Sequence, residues 1–265
     1  MKKYLAIMKL GWLDAMEYRL EFLLGYLGWL VSFVIAVFVW LAVAAGGNGT
    51  VGNYDIKTMV TYLLIIQLLR AFIFSRAGFI INQDIQQGTL SNWMLKPISY
   101  LGSQFLIELA NNTLRSLVGF VVFGIVLFYY NTELFYTFHV AKIFLSLVAI
   151  LIAHTISFLI ISIIALGAYW VVNANRFLFI YFSLLTIFSG MLIPIDLFPD
   201  HIAKILYLTP FPYVFFFPTS YILGTLNGEE TLRALLIGSC YVLLLGLLLI
   251  SINKAGIKKY EAVGK

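Results

Sequence analysis

The sequence predicts an all-α, polytopic integral membrane protein with six transmembrane helices. Three observations carry that prediction. Hydrophobic residues make up 62% of the 265 positions and charged residues only 11%, with a mean hydropathy of +0.97. Soluble domains carry about 25% charged residues, so this supply cannot build a water-facing surface and a bilayer must solvate much of the chain. Apolar runs near the roughly 20 residues that a spanning helix needs recur along the whole length. Finally, the cations outside those runs fall mostly on one side of the implied topology.

The N-terminal segment, residues 1–21, contains Asp14, Glu17 and Glu21 and no small-residue cleavage site, so it does not read as a signal peptide. Leu5, Met8, Trp12, Met16 and Leu20 recur at three- and four-residue steps, while Asp14, Glu17, Tyr18 and Glu21 cluster opposite. Lys9 and Arg19 interrupt the stripe, with stems able to lie along it. The pattern fits an interfacial helix, and equally an ordinary lead-in to the first span.

The spans follow in order. The first covers Phe22–Ala45 and ends in the flexible turn "GGNGT". The second covers Met59–Ile81 and carries Gln67, Arg70 and Arg76. A polar stretch, "QDIQQGTLSNWMLKPISY", occupies residues 83–100. The third span covers Leu101–Tyr129, and "YNTELFYTFH" turns the chain with interfacial aromatics. The fourth, Val140–Val172, exceeds one crossing and must tilt or protrude. After the turn "NANR" comes the fifth, Phe177–Ile193. Residues 194–231 hold Pro194, Pro199, Pro210, Pro212 and Pro218, five of the six prolines. The sixth span is Leu232–Ile252.

Six spans put both termini on one side. Lys2, Lys3, Lys9, Arg19, Arg76, Lys96, Arg176, Lys254, Lys258, Lys259 and Lys265 fall at that side, eleven cations against Lys57, Lys142, Lys204 and Arg233 at the other. The positive-inside rule places both termini and residues 83–100 in the cytoplasm.

Recognisable catalytic chemistry is missing. The chain has no GxxxxGK[ST] loop, HExxH, paired CxxC or GxSxG. Its single cysteine, Cys240, reads as a small buried residue, and no disulfide or Cys-based metal site is spelled out. His154, in an apolar helix, reads as a packed, hydrogen-bonded residue rather than a metal ligand. Asp196 and Asp200 read as caps or turn residues among prolines rather than an acid–base pair.

Polar groups at depth are the next signal. In the third span Gln104, Glu108, Asn111 and Arg115 are spaced by four, three and four, which puts them on one helical face, with Asn112 beside them. Gln67 and Arg70 mark a face of the second span. At about 1.5 Å per residue, Arg76 and Glu108 lie roughly 10 Å up adjacent helices and are candidate ion-pair partners. Arg70 and Arg115 lie at a shared greater depth. Arg70, Glu108, Asn111, Asn112 and Arg115 are thus candidates for a translocation path or a subunit interface. The alternative is that these helices project into the cytosol, where the stripe meets water or a partner.

In residues 83–100, Gly88 supplies a left-handed turn and Thr89 and Ser91 are good N-caps. "NWML" then allows one or two helical turns, which Pro97 ends. Leu90, Trp93 and Met94 can gather on one side. So short a helix is not stable alone in water and needs a partner's groove. A polar connecting loop, with Trp93 among headgroups, is the alternative.

This stretch resembles the cytosolic signature of permease subunits of ABC-2 type ABC transporters, through Asp84, Ile85, Gly88, Thr89, Leu90, Leu95 and Pro97. Gln86 and Gln87 stand where such proteins often carry charge. A second similarity is the Ser-Gly-x-x-x-Pro run and Pro-rich tail, through Ser189, Gly190, Pro194, Phe198, Pro199, Pro210 and Phe211. With the spans, it covers nearly the whole chain.

The resemblance implies a single permease domain over 1–265, with an interfacial helix at 1–21, a coupling helix within 83–100 and an extracellular re-entrant segment at 194–231. It implies a second permease subunit, identical or different, and two copies of an ABC ATPase. ATP and Mg2+ would sit on those ATPase subunits, which explains the missing P-loop; the chain itself would hold no cofactor and no metal and would not be an enzyme. Asp84, Ile85, Gly88, Thr89, Leu90, Trp93 and Pro97 would form the ATPase-coupling element. Export of drugs, peptides, lipids or polysaccharides across a bacterial inner membrane is the implied activity, with lipid around the chain and no nucleic acid. An ion-coupled secondary transporter or channel, using the polar stripe and needing no ATPase, is the competing class.

Overall fold

The computed structural model describes residues 2–17, 19–47, 49–130, 139–171 and 174–260. Side chains at 2, 14 and 19–23, among them Leu20 of the N-terminal stripe, lie outside that description, as do the expected loop 131–138 and residues 261–265.

Helix α1 (Lys2–Glu17) leads to α2 (Arg19–Gly46). A small antiparallel hairpin, β1 (Thr50–Val51) and β2 (Tyr54–Asp55), pairs Thr50 with Asp55 and Val51 with Tyr54, where the sequence suggested only a flexible turn. Asp55 then caps α3 (Ile56–Ile73) by accepting the Thr58 N–H at 3.0 Å. Next come α4 (Ala77–Gln86), α5 (Leu90–Met94) and α6 (Tyr100–Tyr130). The rest is α7 (Val140–Leu166), α8 (Asn175–Phe188), α9 (Asp200–Tyr207), α10 (Phe216–Leu223) and α11 (Gly228–Ile257), with 3-10 turns at Gly167–Tyr169, Ile195–Leu197 and Phe211–Tyr213.

Among the described residues, five stretches are long and apolar enough to cross a membrane: Leu24–Gly46, Ile56–Gln86, Tyr100–Tyr130, Val140–Tyr169 and Gly228–Ile257. The chain is an all-α membrane protein apart from the hairpin. The expected fifth span is α8, only 14 residues, or about 21 Å at 1.5 Å per residue, against a hydrocarbon core of about 30 Å. It ends at Phe188, capped by Ser189, rather than at Ile193, because Gly190 takes φ +86° and turns the chain.

The second span holds the main departure from expectation. Instead of one helix over Met59–Ile81, α3 stops at Ile73 and α4 starts at Ala77. Phe74 is extended, with ψ 116°.

The core centres on α3, almost wholly buried from Met59 to Leu69. It is enclosed by α2, α6, α7 and α10. Opposite faces of α2 and α11 stay exposed, as lipid-facing helices require. Cys240 lies on such an exposed face of α11, not in the interior as its type suggested.

The N-terminal stripe also faces outward. Leu5, Trp12 and Met16 are exposed and Met8 half-buried. The inward seam is Ile7 and Gly11, laid on α6. A Cβ at Gly11 would strike the Ile107 carbonyl and sit 3.1 Å from the Ala110 Cβ. α1 therefore grips α6 at the level of the polar stripe while offering an apolar face to its surroundings.

Candidate functional site

The break between α3 and α4 frees backbone groups inside the protein, and helices elsewhere supply partners for them. Asn112 of α6 donates from Nδ2 to the carbonyls of Phe72 and Phe74, at 2.9 and 3.0 Å. His154 of α7 meets the same Phe72 carbonyl through Nδ1 at 3.1 Å, so that nitrogen carries the proton. The imidazole is fully buried and lies 5.3 and 5.6 Å from the rings of Phe72 and Phe105. Glu108 accepts the Arg76 main-chain N–H at 2.6 Å. The expected meeting of Arg76 and Glu108 thus occurs through the Arg76 backbone at the start of α4, not through its guanidinium. A carboxylate there is favourable, because helix N-termini carry partial positive charge.

The two deeper arginines occupy different surroundings. Arg70 lies over the Trp29 ring, 4.8 Å from its centroid, and 5.9 Å from that of Phe74. Arg115 is half-buried, and its carbonyl accepts the Tyr26 hydroxyl at 2.7 Å, which ties α2 to α6.

A cleft of about 580 Å³ opens beside this junction, lined by Arg76, Gln83, Gln104, Glu108, Asn111 and Arg115 among others. A smaller lobe of about 170 Å³ includes Tyr26, Trp29, Ala71 and Phe74, and shares Arg76, Asn112 and Arg115 with the larger one. The structure thus brings together four of the five sequence candidates for a path or interface and places Arg70 beside them. A separate apolar cleft of about 780 Å³, lined by Leu68, Leu69, Phe120, Ile143, Leu147 and Ile222 among others, lies between α3, α6, α7 and α10.

Residues 83–100 form a clasped unit. Gly88 takes φ +76°, as its turn requires. Thr89 stands at the N-cap position of α5, but its hydroxyl turns back to Asp84 Oδ1 at 2.6 Å instead of capping. The Tyr100 hydroxyl donates to Asp84 Oδ2, also at 2.6 Å. Asp84 therefore closes the loop internally, joining the end of α4 to the start of α6. Trp93 packs edge-on against Tyr100 at 5.6 Å, with the Lys96 ammonium 4.1 Å above its ring.

The expected grouping of Leu90, Trp93 and Met94 is divided. Leu90 and Ile85 are buried in the core, Trp93 is half-buried, and Met94 is exposed. Leu95 is 87% exposed beside exposed Lys96 and Pro97. Gln87 is exposed too, while Gln86 donates to Asn82 Oδ1 at 3.3 Å and Asn82 to Asn175 Oδ1 at 2.8 Å.

The opposite end is closed by rings. Gly190 accepts the Tyr62 hydroxyl at 2.6 Å, Ser189 accepts the Phe216 N–H at 2.9 Å, and Leu192 accepts the Trp40 indole N–H at 3.3 Å. A Cβ at Gly190 would fall 2.7 Å from the Phe216 Cβ. The Tyr54 hydroxyl donates to both Asp196 oxygens at 3.1 and 2.9 Å. Burial first, and then the neighbouring carboxylate, raise the Tyr54 pKa, so the phenol remains a donor. Asp196 thus ties the hairpin to the Pro-rich segment, and Asp200 sits in the first turn of α9.

Sequence reasoning missed Gly11, Tyr100 and the α3–α4 break. A glycine inside a helical pattern was the available signal for the first. Nothing local marked the other two.

No curated protein matches the chain. Residues 20–264 match the family model described as ABC-2 family transporter protein.

Proposed function

This chain belongs to the ABC-2 family of transporter proteins, and on that premise we propose that it is the membrane subunit of an ATP-driven exporter, worked by separate ATPase subunits through residues 83–100. As a family member it is a multi-pass membrane permease of an ABC transporter and partners ABC ATPase subunits.

The observation that carries the coupling reading is the clasped inner loop with its outward knob. Asp84, Thr89 and Tyr100 hold α4, α5 and the start of α6 as one piece. Met94, Leu95, Lys96 and Pro97 project from it unburied. An apolar residue as exposed as Leu95, in a loop this well fastened, suits insertion into a partner's groove. Force applied at the knob reaches α4 directly, and the break at Phe74–Arg76 is the joint about which α4 turns against α3. Asp84 and Thr89 then fasten the lever, Ile85 and Leu90 root it in the core, Gly88 sets its turn, and Trp93 braces it against Tyr100. Pro97 lies on the contact surface itself.

In this reading two ATPase copies bind ATP and Mg2+ beneath two permease subunits, identical or different, in a bacterial inner membrane. Both termini face the cytoplasm. α8 and the turn after it complete a sixth crossing, and residues 194–231 re-enter the outer leaflet as short helices. The abundance of exposed apolar side chains is compatible with hydrophobic or amphipathic cargo.

The test is copurification in mild detergent with identification of every bound chain. A nucleotide-binding ATPase should accompany the wild type and be lost with Leu95→Glu, an exposed change that leaves the fold intact. Trp93→Ala should retain the ATPase but uncouple hydrolysis from transport. A chain that purifies without an ATPase and moves solute on an ion gradient alone would overturn the reading in favour of a secondary transporter.

A further inference from the structure

The cleft beside the α3–α4 break is not accounted for by coupling. We propose that it binds the phosphate headgroup of an anionic phospholipid, with part of one acyl chain in the adjoining lobe.

Its level in the membrane is the first reason. The single helix 100–130 has 31 residues, roughly 46 Å against about 30 Å of hydrocarbon, so it tilts or extends beyond the core. α1 marks where the inner boundary falls. It crosses α6 at Ile107 and Ala110, and its outward face carries exposed Leu5, Trp12, Leu13 and Met16 together with exposed Lys3 and Lys9. That mixture belongs at a headgroup layer. Glu108 is one residue from Ile107, and its hydrogen bond fixes Arg76 at the same height.

Charge is the second reason. The lining contains Arg76 and Arg115 against one carboxylate, Glu108, which accepts from the start of α4 and also attracts Arg115, so the cleft keeps one formal positive charge in excess. The Arg76 residue is exposed. Gln83, Gln104 and Asn111 add uncharged polar groups around it. A phosphodiester at this height matches a guanidinium in both charge and fork geometry.

Shape is the third. The two clefts share Arg76, Asn112 and Arg115, and both have mixed walls: Phe79, Ile80 and Ile107 in the larger, Tyr26, Trp29, Ala71 and Phe74 in the smaller. An amphipathic ligand covers such walls; a free phosphate meets the arginines but leaves the apolar walls uncovered. The inference rests on the interfacial placement of α1 and not on the export reading, so failure to capture an ATPase leaves it standing.

The experiment measures lipid retained by the whole purified assembly, by native mass spectrometry, with thermal shift as a second readout. Phosphatidylglycerol, phosphatidylcholine of the same chain length, and glycerol 3-phosphate are added separately. Phosphatidylglycerol should be retained and should raise the melting temperature; the other two should do neither. Arg76→Gln should lower its retention about tenfold, the effect of losing one charge-assisted contact. Gln83→Glu, on the exposed side of α4, places a second carboxylate in the cleft and should lower retention without disturbing the fold. Lys204→Gln, on exposed α9, should change nothing. Equal retention of the two lipids, or wild-type retention in both Arg76→Gln and Gln83→Glu, overturns the proposal. So does an equal loss in Lys204→Gln. Glycerol 3-phosphate binding as tightly as the lipid would assign the cleft to a soluble phosphate instead and overturn the lipid assignment.

Discussion

Two interruptions of the helical framework invite comparison, one at Phe74–Arg76 and one at Ser189–Pro194. At the first, the freed backbone groups are taken by side chains from distant helices: Asn112, His154 and Glu108. At the second, they are taken by a main-chain N–H, a phenol and an indole, from Phe216, Tyr62 and Trp40. The first lies against a polar cleft of about 580 Å³. The second lies among Phe215, Phe216 and Tyr62, all buried. Hydrogen bonds beside a polar cleft can be exchanged for water when the helices shift, whereas those sealed by rings have no replacement. The bonds at Phe74–Arg76 are thus replaceable by water and those at Ser189–Pro194 are not.

Four substitutions break or sharpen that contrast. Gly190→Ala should have the largest effect. It forces a side chain into a left-handed backbone and against Phe216 and Tyr62, at a cost on the order of 3 kcal/mol. Thermal unfolding in detergent should show a large drop; an unchanged melting temperature would mean the Gly190 turn is not held by Phe216 and Tyr62. Asn112→Leu comes next. It leaves the Phe74 carbonyl at the α3–α4 break without its donor and the Phe72 carbonyl with His154 alone, at about 2 kcal/mol. Hydrogen exchange should rise over residues 72–78 and stay unchanged over 189–194. Tyr54→Phe removes the tie to Asp196, at about 1 kcal/mol, and should loosen the hairpin alone. Glu108→Gln is the mildest. The amide oxygen still accepts the Arg76 N–H, so stability should change by less than about 0.5 kcal/mol. If Glu108→Gln were as damaging as Asn112→Leu, the negative charge and not the hydrogen bond would hold the start of α4.

The contrast also explains what the sequence revealed. Crossing helices are legible because about twenty apolar residues in a row have no other stable place, and four of the expected spans reappear close to their predicted limits. The four-three-four spacing of Gln104, Glu108, Asn111 and Arg115 likewise put one stripe on one face, and three of them share that cleft with Arg115. The break in the second span was not legible. Its residues, Phe74, Ser75 and Arg76, include neither proline nor glycine. What permits the break is 30 to 80 positions away, in Glu108, Asn112 and His154, and such supply from other helices leaves no local mark. The role of Asp84 was hidden for the same reason, since its partner Tyr100 belongs to the next helix. Gly11 shows a different gap: its missing side chain matters only once α6 lies against it.

The short helix α8 has a consequence for the lipid around it. Its 14 residues give about 21 Å of apolar wall where the surrounding hydrocarbon is about 30 Å thick. Phe177, Phe179, Ile180, Leu184 and Ile187 are exposed along it, an apolar wall shorter than the hydrocarbon it would meet. On the six-crossing reading proposed above, the difference is made up either by a thinner bilayer at this flank or by the chain that follows α8.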